Sequence, residues 1–144
     1  MLPSKQQLLA RALGGSPADC MEWAKKIVGD QLAVEHRVLA EIGSDKSLRD
    51  WPRIAAIYAL GLIGEREFSA ALADILADTS NSPAVRGYAA EALGNIGDKR
   101  QLSLLKRVRR QKPSRELAES VDYALEELSG HAPPAASDNL KETI

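Results

Sequence analysis

The stretch "ALGLIGERE" at 59–67 is written again, with few changes, as "ALGNIGDKR" at 92–100. Aligning 53–72 with 86–105 gives eight identical residues in 20 positions, among them both Ala-Leu-Gly and both Ile-Gly pairs. A weaker copy follows around Ala124 and Leu125, where the glycines are lost. A repeat of this length is typical of proteins built by stacking one small structural unit.

Each copy has the pattern of two consecutive helices. Ala56, Ala59, Leu60 and Ile63 follow the i, i+3, i+4, i+7 spacing of one buried helix face. The interior glycine of each copy predicts a close helix crossing, and the glycine that ends it predicts a left-handed C-cap. The pattern predicts helices at 4–13, 17–28, 31–42, 52–63, 67–78, 84–96, 99–111 and 115–129, with a turn at 46–50.

Composition agrees with an all-α protein. Alanine and leucine dominate the apolar residues, whereas aromatic residues make up only 4% of the 144. The repeats occupy 51–129, residues 1–50 form a helical N-terminal cap or a divergent repeat, and 130–144 are expected to be disordered. No segment is long and apolar enough to span a membrane, and with a single cysteine and no secretory pattern we expect a cytoplasmic protein.

Residues 85–108 resemble a HEAT-type repeat of the variety named after phycobilisome lyases. The resemblance lies in Val85-Arg86, Ala89-Ala90, Ala92-Leu93-Gly94 and Ile96-Gly97-Asp98. It implies a short right-handed α-solenoid whose first helices form the outer layer and whose second helices line the concave face. It also implies aspartate–arginine pairs between repeats: Asp78 with Arg86, and Asp45 or Asp50 with Arg53.

The sequence contains no recognisable catalytic, metal or cofactor motif. Its two histidines, His36 and His131, have no partner at ligand spacing, and Cys20 lies in an apolar run typical of a buried thiol. The glycines close helices and do not open them, unlike those of a phosphate loop. We therefore expect no enzymatic activity, no cofactor and no metal.

A concentration of positive charge is the distinctive feature. Residues 99–115 hold eight basic residues and no acidic one, although the net charge of the chain is −1. The candidate partner-binding residues on one side of this helix are Lys99, Arg100, Lys106, Arg107 and Arg110. Two interpretations remain open: the acidic helix 115–129 neutralises them, or they bind a partner.

These observations favour a non-catalytic interaction or scaffold module that binds another protein with an acidic surface on its concave face, through the helix at 99–112. Nucleic-acid binding is the first alternative, although the sequence pI of about 6.1 and the absence of aromatic residues in the patch disfavour it. A tetrapyrrole lyase subunit is the second alternative, and it rests on the resemblance alone.

Overall fold

A computed structural model describes residues 2–12 and 16–130, and helices account for the regular structure of this part of the chain. Its eight α-helices are α1 (Lys5–Ala12), α2 (Pro17–Val28), α3 (His36–Ser44), α4 (Asp50–Ile63), α5 (Ser69–Ala77), α6 (Pro83–Ile96), α7 (Leu102–Arg110) and α8 (Arg115–Leu128). Short 3-10 turns at Arg66–Phe68 and Lys99–Gln101 precede α5 and α7. The predicted all-α, solenoid-like fold is confirmed. The expected disordered tail lies, from residue 131 onward, outside the described residues.

Side-chain caps set several helix starts. The Ser82 hydroxyl accepts a hydrogen bond from the Val85 backbone N–H (3.2 Å), and Pro83 occupies the first turn of α6. Ser4 and Gln7 form the reciprocal capping box that their spacing predicts. The α4 and α6 helices end at Gly64 and Gly97 with φ of 82° and 80°, in the left-handed region that glycine enters easily.

The predicted helix 31–42 begins too early. In the structure α3 starts at His36, so this histidine is not in the middle of a helix. Asp30 adopts a φ of 63°, and the Gln31 backbone N–H bonds back to the Lys26 carbonyl (2.8 Å). This turn closes the end of α2, and residues 31–35 are not helical.

The first helix of each repeat packs directly against the first helix of the next. A Cβ added to Gly61 of α4 would lie 2.7 Å from Ala92 Cα, and one added to Gly94 of α6 would lie 2.9 Å from Ala124 Cα. Only residues without a Cβ allow backbones to approach this closely. The close crossings predicted from the repeated glycines are therefore confirmed.

The two layers of the stack differ in spacing. Along one layer α4, α6 and α8 share extensive interfaces, whereas α5 and α7 touch only marginally in the other. The first helices therefore form the more closely packed layer of the stack. That the second helices line the concave face stays a prediction.

The repeat arginines bind helix ends rather than the expected aspartates. Arg53, almost fully buried, donates from Nε to the Gly43 carbonyl (3.0 Å) and from Nη2 to Asn81 Oδ1 (3.0 Å). Arg86 donates from Nε to the Leu76 carbonyl (2.7 Å). A carbonyl at the end of a helix carries partial negative charge, so a guanidinium suits it.

The aspartates proposed as partners bind other groups. Asp45 accepts from Lys5 Nζ and Asp78 accepts from Lys46 Nζ, each at 2.7 Å. Asp50 accepts from the Ser82 hydroxyl (2.7 Å). The predicted arginine–aspartate pairs are thus replaced by lysine–aspartate pairs that also link neighbouring repeats.

Candidate functional site

A pocket of about 310 Å³ lies between α6 and α8, in the layer of first helices. We call it the α6–α8 pocket. Its lining comprises Ala84, Gly87, Tyr88, Glu91, Glu116, Glu119, Ser120 and Tyr123. Its volume is at the lower end of the range of small-ligand pockets, about 300–1,000 Å³.

Small residues in α6 create this pocket. Ala84 and Gly87 occupy the positions that Trp51 and Ile54 hold one repeat earlier, in α4. Ile54 is buried and Trp51 packs edge-on against Tyr88, with ring centroids 6.4 Å apart. The small Ala84 side chain leaves space beside α8, whereas at Gly87 the two helices approach closely, since a Cβ there would lie 3.0 Å from Ser120 Oγ.

The pocket wall is acidic. Glu91 from α6 and Glu116 and Glu119 from α8 supply three carboxylates, and no basic residue lines the pocket. The Ser120 hydroxyl donates to Glu91 Oε2 (2.8 Å), which fixes this carboxylate at the helix interface. Glu119 also pairs with Arg115 at the surface (3.2 Å), whereas Glu91 and Glu116 form no ion pair among the described residues, so the wall keeps a negative potential that attracts cations.

Two tyrosine rings complete the wall. Burial raises the pKa of Tyr88, and the nearby Glu91 and Glu116 carboxylates raise it further. Burial also raises the pKa of Tyr123, whose hydroxyl donates to Asn95 Oδ1. Both phenols therefore stay neutral, and their rings offer π faces to a cation. The arrangement suits an organic cation such as an alkyl amine.

The sequence did not predict this pocket, because its residues come from two helices about 30 residues apart. A signal was nevertheless present. At Gly87 and Tyr88 the second repeat departs from the first, and Glu116 and Glu119 lie in the first turns of α8.

Carboxylates of the chain bind two cations of this basic segment: Arg100, a predicted partner-binding residue, and the neighbouring Arg109. Arg100 donates from Nε and Nη2 to the two oxygens of the fully buried Asp98, at 2.9 and 2.8 Å. This bidentate contact holds the pKa of Asp98 well below its usual range. Arg109 pairs with Asp122 of α8 (2.8 Å). Arg100 is therefore a structural residue as well as a surface cation.

The remaining predicted residues of the helix are exposed. Lys106, Arg107 and Arg110 lie on the solvent side of α7, and within the described ranges none of them forms an ion pair. Of the cations in α7, the acidic α8 helix neutralises only Arg109. Lys99 is also exposed, next to Gly130. Neutralisation by helix 115–129 is thus partial.

The other candidate side chains do not assemble a reaction centre. His36 Nδ1 lies 2.7 Å from Glu65 Oε1 on the surface, and Cys20 is fully buried, which raises the pKa of its thiol. Across residues 2–12 and 16–130, no three histidine, cysteine, aspartate or glutamate side chains meet in an arrangement that holds a metal ion. His131 lies outside this part of the chain.

Comparison with known protein families identifies the type of repeat. A family model described as HEAT repeats matches residues 38–126, which is more than half of the chain. The chain belongs to the HEAT-repeat family. The match includes α3, which lies in the segment 1–50 predicted as a cap or divergent repeat.

Several curated relatives are named deoxyhypusine hydroxylase. The protein from Eremothecium gossypii is 31% identical over 135 residues, covering 93% of this chain and 41% of the relative. The protein from Mus musculus is 32% identical over 148 residues, covering 90% and 42%. The one from Arabidopsis thaliana is 38% identical over 73 residues, covering 51% and 23%. This chain spans about two fifths of the first two relatives.

These relatives overturn the predicted function. They are enzymes, so the expectations of a non-catalytic scaffold and of no enzymatic activity are wrong. Neither nucleic-acid binding nor a tetrapyrrole lyase matches them, and the lyase-type resemblance gives way to the broader HEAT family. The repeat motif misled the prediction because its residues build helix contacts, which catalytic and non-catalytic solenoids share.

Membrane insertion receives no support from the helices. Among those the structure describes, none combines the length and the apolar character needed to cross a bilayer.

Proposed function

We propose that this chain takes part in deoxyhypusine hydroxylation, and that its α6–α8 pocket binds the amine chain of deoxyhypusine. The observation that carries the proposal is the pocket wall, in which three carboxylates face two tyrosine rings. The names of the relatives, matched over most of this chain, supply the substrate class.

Deoxyhypusine suits such a wall chemically. It is a lysine whose side-chain amine carries an aminobutyl group, so it presents two amines, both protonated near neutral pH, on a flexible alkyl chain. Carboxylates at Glu91, Glu116 and Glu119 would pair with the ammonium groups. Tyr88 and Tyr123 would contact the methylene groups and add cation–π attraction.

Hydroxylation also needs an oxidant and a redox-active centre, because a carbon atom loses electrons when it gains oxygen. The described residues bring together no ligand set for a metal ion, so this part of the chain does not fit such a centre. We derive no oxidation step from it. The role proposed for the pocket is to bind and orient the amine.

Calorimetric titration of the chain with free deoxyhypusine tests the proposal. Replacing two carboxylates, Glu116→Gln with Glu119→Gln, should weaken binding about tenfold, because each partly exposed ion pair contributes about 0.5–1 kcal/mol. The matched control is Glu22→Gln with Glu67→Gln, which removes two negative charges at exposed residues outside the pocket. The control should bind as the wild type does.

Filling the pocket provides a second test without any change of charge. Ala84→Trp introduces the residue that α4 carries at position 51 and should abolish binding while the helical circular dichroism persists. Lysine, with a single side-chain amine, should bind more weakly than deoxyhypusine. Equal affinity for lysine and deoxyhypusine, or equal loss in the charge control, would refute the proposal.

A further inference from the structure

The exposed side of α7 carries charge that the fold does not require. We call Lys106, Arg107 and Arg110 the basic surface. On the opposite side of the helix Leu105 and Val108 are buried in the core. The helix is therefore anchored by its apolar face and presents the three cations to solvent.

The preceding repeat shows that packing does not need these cations. α5 has the same length as α7 and the same place in the repeat. Its corresponding residues carry no positive charge: they are Ala73, Asp74 and Ala77. The basic surface is thus a feature of one repeat and not of the repeated architecture.

Within the described part of the chain, no carboxylate forms an ion pair with a cation of the basic surface. Among the described residues, the carboxylates of α8 that pair with cations are Asp122, with Arg109, and Glu119, with Arg115. Lys112, just beyond α7, adds another exposed cation without an ion pair in the described part. Neighbouring like charges repel one another, so an external anion lowers their electrostatic free energy.

We propose that the basic surface docks an acidic polypeptide segment. The α7 helix has nine residues and so spans about 13 Å, which corresponds to about four residues of extended peptide. The patch is thus short, and it offers no aromatic ring for base stacking. Its size and composition fit a few aspartate or glutamate side chains better than a nucleic acid. This docking surface uses none of the residues of the α6–α8 pocket.

Fluorescence anisotropy with a short labelled oligoglutamate peptide tests this inference. Arg107→Glu with Arg110→Glu should weaken binding at least tenfold at low salt, where exposed charges are least screened. Lys25→Glu with Lys26→Glu is the matched control, since it reverses two exposed cations on α2. The control should retain most of the affinity. Both variants should keep the helical circular dichroism and the deoxyhypusine affinity of the wild type.

Three results would overturn the inference. They are absence of oligoglutamate binding at low salt, equal weakening in both charge-reversal variants, and tighter binding of duplex DNA than of oligoglutamate with a steep salt dependence. Each concerns the basic surface alone. A failure here is therefore distinguishable from a failure of amine binding in the pocket.

Discussion

Removing the Asn81 side chain should destabilise the chain more than almost any other loop substitution. Asn81 accepts a hydrogen bond from the buried Arg53 guanidinium and donates one to the Ile75 carbonyl, each at 3.0 Å. It thereby links α4 to the end of α5 just before α6 begins. Asn81→Ala would leave a buried positive charge and a buried carbonyl each without one partner.

The magnitude follows from the two contacts. A hydrogen bond to a charged group contributes about 1.5–3 kcal/mol and a neutral one about 1 kcal/mol. Both groups are buried, so water cannot replace the lost partner, and Asn81→Ala should lower the free energy of unfolding by about 3 kcal/mol. Asn81→Asp keeps an acceptor for Arg53 but loses the donor to Ile75, so it should cost less.

Urea unfolding followed by circular dichroism measures this effect. Ser80→Ala is the matched control, because Ser80 is in the same loop but bonds Asp78 on the exposed surface. It should change the free energy of unfolding by less than about 1 kcal/mol. A double-mutant cycle with Arg53→Met should give a coupling energy of about 1–3 kcal/mol. If Asn81→Ala and Ser80→Ala have equal effects, or if the coupling is zero, the argument from buried partners is refuted.

Three further predictions concern the helix contacts and the buried carboxylate. Gly61→Ala should lower the free energy of unfolding by about 2 kcal/mol despite better helix propensity, because its Cβ would overlap Ala92; a stabilised variant in urea melts would contradict this. Among the described residues, the buried Arg86 Nη2 has no hydrogen-bond partner. Pro113 occupies the position before α8 that Asn81 holds before α6. Pro113→Asn should therefore be about 2 kcal/mol more stable than Pro113→Ala in the same assay. Because Arg100 lowers the pKa of Asp98, the stability that this pair contributes is complete above pH about 4 and is lost as the pH falls toward the lowered value. Asp98→Asn should flatten this acid dependence, which urea midpoints at several pH values would reveal.

The sequence predicted the helices well where the signal was local. Helix α2 has the predicted bounds, and the Ser16 hydroxyl caps it by accepting a hydrogen bond from the Asp19 backbone N–H (3.1 Å). It failed at 31–35, where the chain forms a bend and an irregular segment instead of a helix. A short apolar run occurs both in helices and in irregular segments that pack on the core. Which of the two forms at 31–35 depends on how α2 ends.

The site was harder to predict. The basic residues were found because they lie close together in the sequence, within 99–115. The bidentate contact of Arg100 with Asp98 could be seen only in the three-dimensional structure. The α6–α8 pocket was missed because its wall combines residues of two helices. The expected Asp78–Arg86 pair forms no ion pair at contact distance, since Arg86 binds the Leu76 carbonyl and Asp78 binds Lys46. Burial lowers the pKa of Arg86, and the nearby Asp78 charge partly opposes this.

The sequence by itself determined the repeated helix pairs, because hydrophobic periodicity, capping residues and glycines act within a few residues of the chain. It also determined that Gly61 and Gly94 allow helices to cross closely. Only the tertiary structure decided which layer packs more closely, which cations are neutralised and where a cavity opens. These properties depend on distances between side chains of successive repeats, such as Gly87 and Ser120, and those distances are set when the repeats stack.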